Sequence, residues 1–172
     1  MIDENNKYCC ESTPAENLNL ERFIEAQNKI DGFCGDSIYE VALSEMRCGR
    51  KVTHWIWFIF PQMKGLGQSY YSNYYGLTYQ EALCYSKHTL LSYRLKKCCD
   101  ELINKEDSCT AIKIFGRNDA RKVKSSMTLF WLISGGKIYK DILDKFFDGK
   151  LDVRTTDILK SVNSDIINVI NL

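Results

Sequence analysis

Two stretches of the chain concentrate the side chains that could do chemistry. The first runs Gly49-Arg-Lys-Val-Thr-His-Trp-Ile-Trp-Phe-Ile-Phe-Pro-Gln62 and continues into Lys64-Gly-Leu-Gly-Gln-Ser69. Packing two tryptophans, a histidine and several other large side chains into so short a span is costly unless the indole and imidazole nitrogens find partners. One outcome is a core element whose polar atoms are satisfied internally. The other is a pocket. There Trp55 or Trp57 offers a flat face for stacking or for a cation, His54 carries or donates a proton, and Gln62 lines the wall. Gly65 and Gly67 would let backbone N–H groups approach a ligand. Gly65-Leu66-Gly67 matches neither the Walker pattern nor the dinucleotide fingerprint, because no Gly-Lys-Ser/Thr and no third glycine follow.

The second stretch is Ile114-Phe-Gly-Arg-Asn-Asp-Ala-Arg-Lys-Val-Lys-Ser-Ser-Met-Thr-Leu-Phe130. At about 100° per residue, Asp119, Lys122 and Ser126 share a narrow arc beside the apolar arc of Val123, Met127 and Phe130. This arrangement predicts a position at the edge of the core. Lys122 is then either the partner of Asp119 in a helix-surface ion pair or a group held for an anion. Arg117, Arg121, Lys122 and Lys124 lie near a helix start, whose free N–H groups suit phosphate or carboxylate; the plain alternative is a solvated cationic face. Ser125 and Ser126 become nucleophiles only with a base, and His54 is the sole strong candidate. No Gly-x-Ser-x-Gly elbow exists.

Three functions follow, in this order. The first is a small-ligand domain, in which an anionic or nucleotide-like molecule contacts Lys51, Lys122 and Lys124 while Trp55 or Trp57, His54, Gln62, Ser69 and Ser126 form the wall. The second is an adaptor that binds a protein or peptide through the Tyr70, Tyr71, Tyr74 and Tyr75 cluster, tyrosine being enriched at binding hot spots. The third is a hydrolase or transferase with His54 as general base.

The elements that must position these groups read as helices. Leu20, Phe23, Ile24 and Gln27 recur at helical spacing behind Asn17 or Asn19 as the cap. Asp36 is placed to cap a second helix carrying Ile38, Val41, Ala42 and Met46, with Gly49 beyond its end. Residues 52–60 are apolar on both the strand and the helix period, so periodicity leaves that element open. Thr78 and Glu81 form a capping box that opens a helix to about Lys87. Thr89 begins another helix, with Leu91, Leu95, Cys98 and Leu102 along one seam. Asn118 or Asp119 caps a helix to about Ile133, broken by Gly135-Gly136. Residues 137–148 form an amphipathic helix, and Thr155 or Thr156 starts the last one. The reading is a mainly α single domain of about seven helices, a bundle or orthogonal array over residues 18–172, behind a flexible polar leader at residues 1–17.

Composition narrows the classes further. At 172 residues, 45% hydrophobic and 26% charged, with two prolines, the chain can bury a core of its own. Lys and Arg number 23 against 22 Asp and Glu, so no bulk field holds nucleic acid, and any anion site is local. No apolar run approaches the roughly 20 residues of a membrane span, and the polar start MIDENNKY is no secretory signal. The eight cysteines include the adjacent pairs Cys9-Cys10 and Cys98-Cys99. With no glycosylation sequon, reduced thiols in the cytoplasm or nucleus are expected. Metal-ligand spacing is missing and only His54 and His88 are at hand, so neither metal nor cofactor is expected.

Taken together the two stretches resemble the family labelled domain of unknown function eighteen-ten, some of whose members carry the automatic label calpastatin. The resembling pieces include Leu20-Glu-Arg-Phe-Ile-Glu-Ala-Gln27, Gly49-Arg-Lys51, His54-Trp-Ile-Trp-Phe-Ile-Phe-Pro-Gln62, Gly65-Leu-Gly-Gln-Ser69, Ile114-Phe-Gly116, Asp119, Lys122, Ser125-Ser-Met-Thr-Leu-Phe130 and Phe147-Asp-Gly149. They span nearly everything after residue 18. The resemblance implies a mostly helical single domain, tips residues 52–60 toward helix, and implies no activity. Calpastatin itself inhibits through disordered segments, which a compact chain does not offer.

Overall fold

A computed structural model describes residues 18–163; the expected leader, residues 1–17, lies outside them, as do residues 164–172. The described residues form nine helices: α1 (Glu21–Asn28), α2 (Ile38–Arg47), α3 (Ile56–Ile59), α4 (Tyr70–Tyr74), α5 (Tyr79–Lys87), α6 (Thr89–Ile103), α7 (Ala111–Ser134), α8 (Lys137–Phe147) and α9 (Val153–Val162). Two of them, α3 and α4, are single turns outside the expected seven: α3 takes up only Ile56–Ile59 of the 52–60 stretch that the resemblance tipped toward helix, and α4 lies in the tyrosine-rich stretch. Among the described residues there is no strand, only two isolated bridges, Ile30 with Ser37 and Met63 with Leu77.

The helix ends show where local chemistry decides. Thr78 and Glu81 do form the capping box. The cap of α2 is Ser37 rather than Asp36, with Ser37 Oγ accepting from the Glu40 N–H. The cap of α9 is Asp152 rather than Thr155 or Thr156, and its carboxylate takes both the N–H and the hydroxyl of Thr155. At α1 the Leu20 position has no side-chain cap; Asn19 contributes its carbonyl, which accepts from Arg22 instead. Helix α7 starts earlier than expected because Thr110 caps Ala111–Phe115. Gly116 then adopts φ +74°, a backbone region open to glycine, and the chain restarts as a helix at Arg117.

Helix α7 is the axis of the fold. It packs against α3, α5, α8 and α9, while α6 packs against α2, α5 and α8. From Ser125 to Phe130 every residue of α7 is buried, because neighbours surround that stretch on all sides. Phe130 meets Tyr85 of α5 at 5.2 Å and Tyr139 of α8 at 5.8 Å between ring centroids, and Phe23 of α1 meets the edge of Tyr85 at 5.3 Å. Cys98 and Cys99 of α6 are fully buried, and burial pushes both thiols well above their ordinary range. They act as small apolar core residues.

One buried ion pair ties α1 to the entry of α5. Arg22 lies 2.7 Å from Glu81 Oε1 and donates to the carbonyls of Tyr74 at 2.9 Å and Gly76 at 3.3 Å. Glu81 Oε2 accepts the Thr78 N–H at 2.9 Å. Removing one member strands the other's charge in the interior. Arg22→Ala is therefore expected to lower the unfolding free energy by about 3–5 kcal/mol in urea denaturation. The Arg22→Ala/Glu81→Ala double variant should lose less than the two single losses added together. Strict additivity would show that the two groups do not act as a pair.

Candidate functional site

The two chemistry-bearing stretches meet. Lys51 Nζ and Lys122 Nζ each lie 2.8 Å from a different oxygen of the Asp119 carboxylate. Lys51 also donates to the Thr53 carbonyl at 2.8 Å. Each ammonium rests against an indole: Lys51 is 5.1 Å from the Trp55 ring centroid, and Lys122 is 4.5 Å from that of Trp57. Gly116 places Asp119 in the opening turn of the restarted helix, where its negative charge faces the favourable end of the helix dipole. Burial pushes the Asp119 carboxyl up, but the hydrogen bonds and charges of Lys122 and Lys51 outweigh it and hold the group below its ordinary range. Two cations share one anion, so the cluster keeps a net positive charge.

Sequence reasoning found Lys51, Asp119, Lys122 and both tryptophans but missed the carboxylate that holds the turn between Lys51 and Trp55. Glu45 of α2 accepts from the Val52 N–H at 2.7 Å, the Thr53 N–H at 3.0 Å, the Thr53 hydroxyl at 2.7 Å and Trp55 Nε1 at 2.8 Å. This one side chain holds the backbone that carries His54 between Thr53 and Trp55. No spacing rule marks Glu45, since its partners lie beyond a helix end and a turn.

The tryptophans divide. Trp55 is fully buried, meeting Phe60 and Phe115 with centroids 6.3 Å away in both cases. Trp57 is half-buried and stacks on Tyr71 at 5.0 Å and 28°. It forms part of a groove of about 770 Å³. Lys29, Ile30 and Asp31 come to this groove from the end of α1 and the loop after it; Thr53 and His54 come from the Glu45-held turn, and Phe58, Tyr71 and Tyr75 complete the aromatic side. The backbone N–H groups of Phe33 and Cys34 donate to Asp31 and lower its pKa. Gln62 is on the far side of Trp57, in a small recess of about 10 Å³ that Trp57, Tyr71 and Tyr75 also line.

The remaining expected site residues go elsewhere. Ser69 caps α4 by accepting from the Ser72 N–H. The Lys124 carbonyl accepts from Thr128, and no contact joins the Lys124 ammonium to the Lys51, Asp119 and Lys122 cluster among the described interactions. Ser126, expected at the core edge, is wholly buried and its hydroxyl meets no partner among the described residues; α7 has no exposed edge at that height. Ser125 is buried and shares a 2.7 Å hydrogen bond with Thr155. The Lys and Trp walls thus touch directly, and the hollow opens on the His54 side of Trp57.

A model of the family described as a protein of unknown function (DUF1810) matches residues 17–159. The crystal structure of the conserved hypothetical protein Rv1873 from Mycobacterium tuberculosis is similar, with a TM-score of 0.75 and 35% sequence identity over 82% of this chain and 96% of that one. No curated protein matches the chain. Among the described residues no helix is long and apolar enough to cross a membrane, and no group of three His, Cys, Asp or Glu residues could hold a metal.

The Asp119 cluster makes a pH prediction. Its carboxyl titrates lower in the folded chain than in the unfolded one, where aspartate sits near about 3.9. The stability it adds is present above that value and is lost as pH falls through the lowered folded one. In denaturant titrations at successive pH values, the stability gap between wild type and Asp119→Asn should hold steady near neutrality and narrow below about pH 4. A gap independent of pH would refute the pairing. Trp55→Ala should cost about 3–5 kcal/mol as a core truncation, read in the same assay.

Proposed function

Because the chain belongs to the DUF1810 family of unknown function, its groove must be read from its own chemistry, and we propose that it binds a small organic anion or nucleotide-like molecule there. The observation that carries this reading is the groove itself. Its volume of about 770 Å³ falls within the roughly 300–1,000 Å³ of small-molecule sites. Its lining is mainly aromatic and apolar, with Lys29, Asp31, Thr53 and His54 as its charged and polar members, and the Asp31 carboxylate is occupied by the Phe33 and Cys34 N–H groups. Lys29 and His54 are the cationic and hydrogen-bonding contacts. Thr53 and His54 are held in place beforehand by Glu45, which lowers the ordering cost of binding. The positive cluster of Lys51, Asp119 and Lys122 supports the anion from behind Trp57; Lys124, Ser69, Gln62 and Ser126 drop out as direct contacts.

Binding is better supported than acyl transfer with His54 as base. Ser125 is bonded to Thr155 and Ser126 is buried, so neither serine is available to His54. Cys34, Cys48, Cys98, Cys99 and Cys109 are free thiols, which supports a reducing compartment, the cytoplasm or nucleus. A second reading rests on a separate observation. Tyr70, Tyr71 and Tyr74 are 73%, 52% and 42% exposed, and Tyr70 stacks on Tyr74 at 5.9 Å. That patch suits a protein or peptide partner.

Thermal shift against nucleotides, sugar phosphates and dicarboxylates tests the groove. A ligand at a hundred times its dissociation constant adds about 2.7 kcal/mol. The shift should vanish in His54→Ala and Lys29→Ala while the unliganded melting temperature stays near wild type. A flat panel, or a shift that survives both changes, removes the groove as the site and leaves the tyrosine patch as the stronger reading.

A further inference from the structure

The groove reading leaves Trp57 oddly occupied by the protein itself. Lys122 sits 4.5 Å from its ring centroid, and Tyr71 stacks on it at 5.0 Å and 28°. The two contacts differ in how firmly they are held. Lys122 is fixed by Asp119, which Lys51 grips as well. Tyr71 belongs to a five-residue helix with no buried residue and is itself half exposed. The backbone of that helix is pinned at both ends, by the Ser69 cap and by Arg22 donating to the Tyr74 carbonyl. The Tyr71 side chain can therefore swing into solvent by rotamer change alone, a fast motion for an exposed residue.

A second observation lies at the edge of the same indole. Trp57 Nε1 is buried and donates to nothing among the described residues. A buried donor without an acceptor destabilises a fold and calls for an explanation. The wall that Trp57 forms with Tyr71 and Tyr75 separates the large groove from the recess beside Gln62. The unmatched donor thus belongs to the side chain that both hollows share.

We propose that Tyr71 is an internal stand-in for the ligand's ring. On this proposal, which rests on the groove reading above, the ligand class is a planar heteroaromatic anion of the nucleobase kind. Its ring displaces Tyr71 and stacks on Trp57, and an oxygen on a flexible substituent that reaches out of the ligand ring's own plane accepts the Nε1 hydrogen. Stacking a base on an aromatic side chain tolerates many bases, so Trp57 selects for flatness while that acceptor and Lys29 select for polarity and charge. Closure by Tyr71 lowers apparent affinity by the fraction of time the face is open.

The test compares wild type, Tyr71→Ala and Trp57→Phe, using the four ribonucleoside 5′-monophosphates as probes. If Tyr71 covers Trp57 about nine-tenths of the time, Tyr71→Ala should bind the best of them about tenfold more tightly. Acrylamide quenching of tryptophan emission should rise in Tyr71→Ala, and the rise should be absent when Trp57→Phe is combined with it. Bound nucleotide should suppress the quenching again. Weaker or unchanged nucleotide affinity in Tyr71→Ala overturns the proposal, because it makes Tyr71 a wall or a bystander. A dicarboxylate or sugar phosphate that binds wild type and Tyr71→Ala equally, with no nucleotide binding, keeps the groove and overturns the stacking role. No binding of any compound by either form removes both.

Discussion

A single carboxylate, Asp119, joins two distant regions of the chain. Its oxygens take Lys51 from the turn after α2 and Lys122 from its own helix. Each of those lysines then presses on a tryptophan from the α3 region. Bringing two ammonium groups and a carboxylate out of bulk water costs several kcal/mol per ion unless the geometry is good. Here the carboxylate offers one oxygen to each cation, and the indole faces supply attraction that needs no further hydrogen bond. The arrangement fixes Trp57 at the groove wall from behind.

Glu45 does the matching work from the other side. A carboxylate accepting several N–H and O–H donors replaces the water those groups would otherwise hold. The turn carrying Thr53 and His54 consequently has a fixed course, although it belongs to no regular element. Two acidic side chains, one on α2 and one on α7, thus brace a three-residue turn from opposite directions. This division explains why the groove's polar contacts sit on a loop and its rigidity comes from helices.

The general architecture was legible because its signals are local. The Thr78 and Glu81 capping box and the break after Ser134 involve neighbours in sequence, and each stands where the pattern put it. Caps failed where more than one residue near a helix start can accept from its free N–H groups: the cap expected at Asp36 falls on Ser37, and that expected at Thr155 or Thr156 falls on Asp152. The site was legible in part. Spacing on α7 correctly joined Asp119 to Lys122, but nothing in the sequence could reveal that Lys51 would claim the second oxygen. Helical-wheel geometry placed Ser126 at a boundary. It assumed one solvent face, and α7 has none at that point because α5, α8 and α9 close around it together with α3.

The adjacent thiols of Cys98 and Cys99 carry a practical consequence. They face the centre of the molecule, where Cys99 Sγ lies 3.6 Å from the Met127 sulfur, and burial keeps them protonated and unreactive. An alkylating reagent can reach them only when α6 parts from α2, α5 and α8, the helices it packs against. Their labelling rate is therefore a clock for whole-domain opening, wound into the sequence itself, against which the exposed Cys34 and Cys48 serve as the unprotected reference.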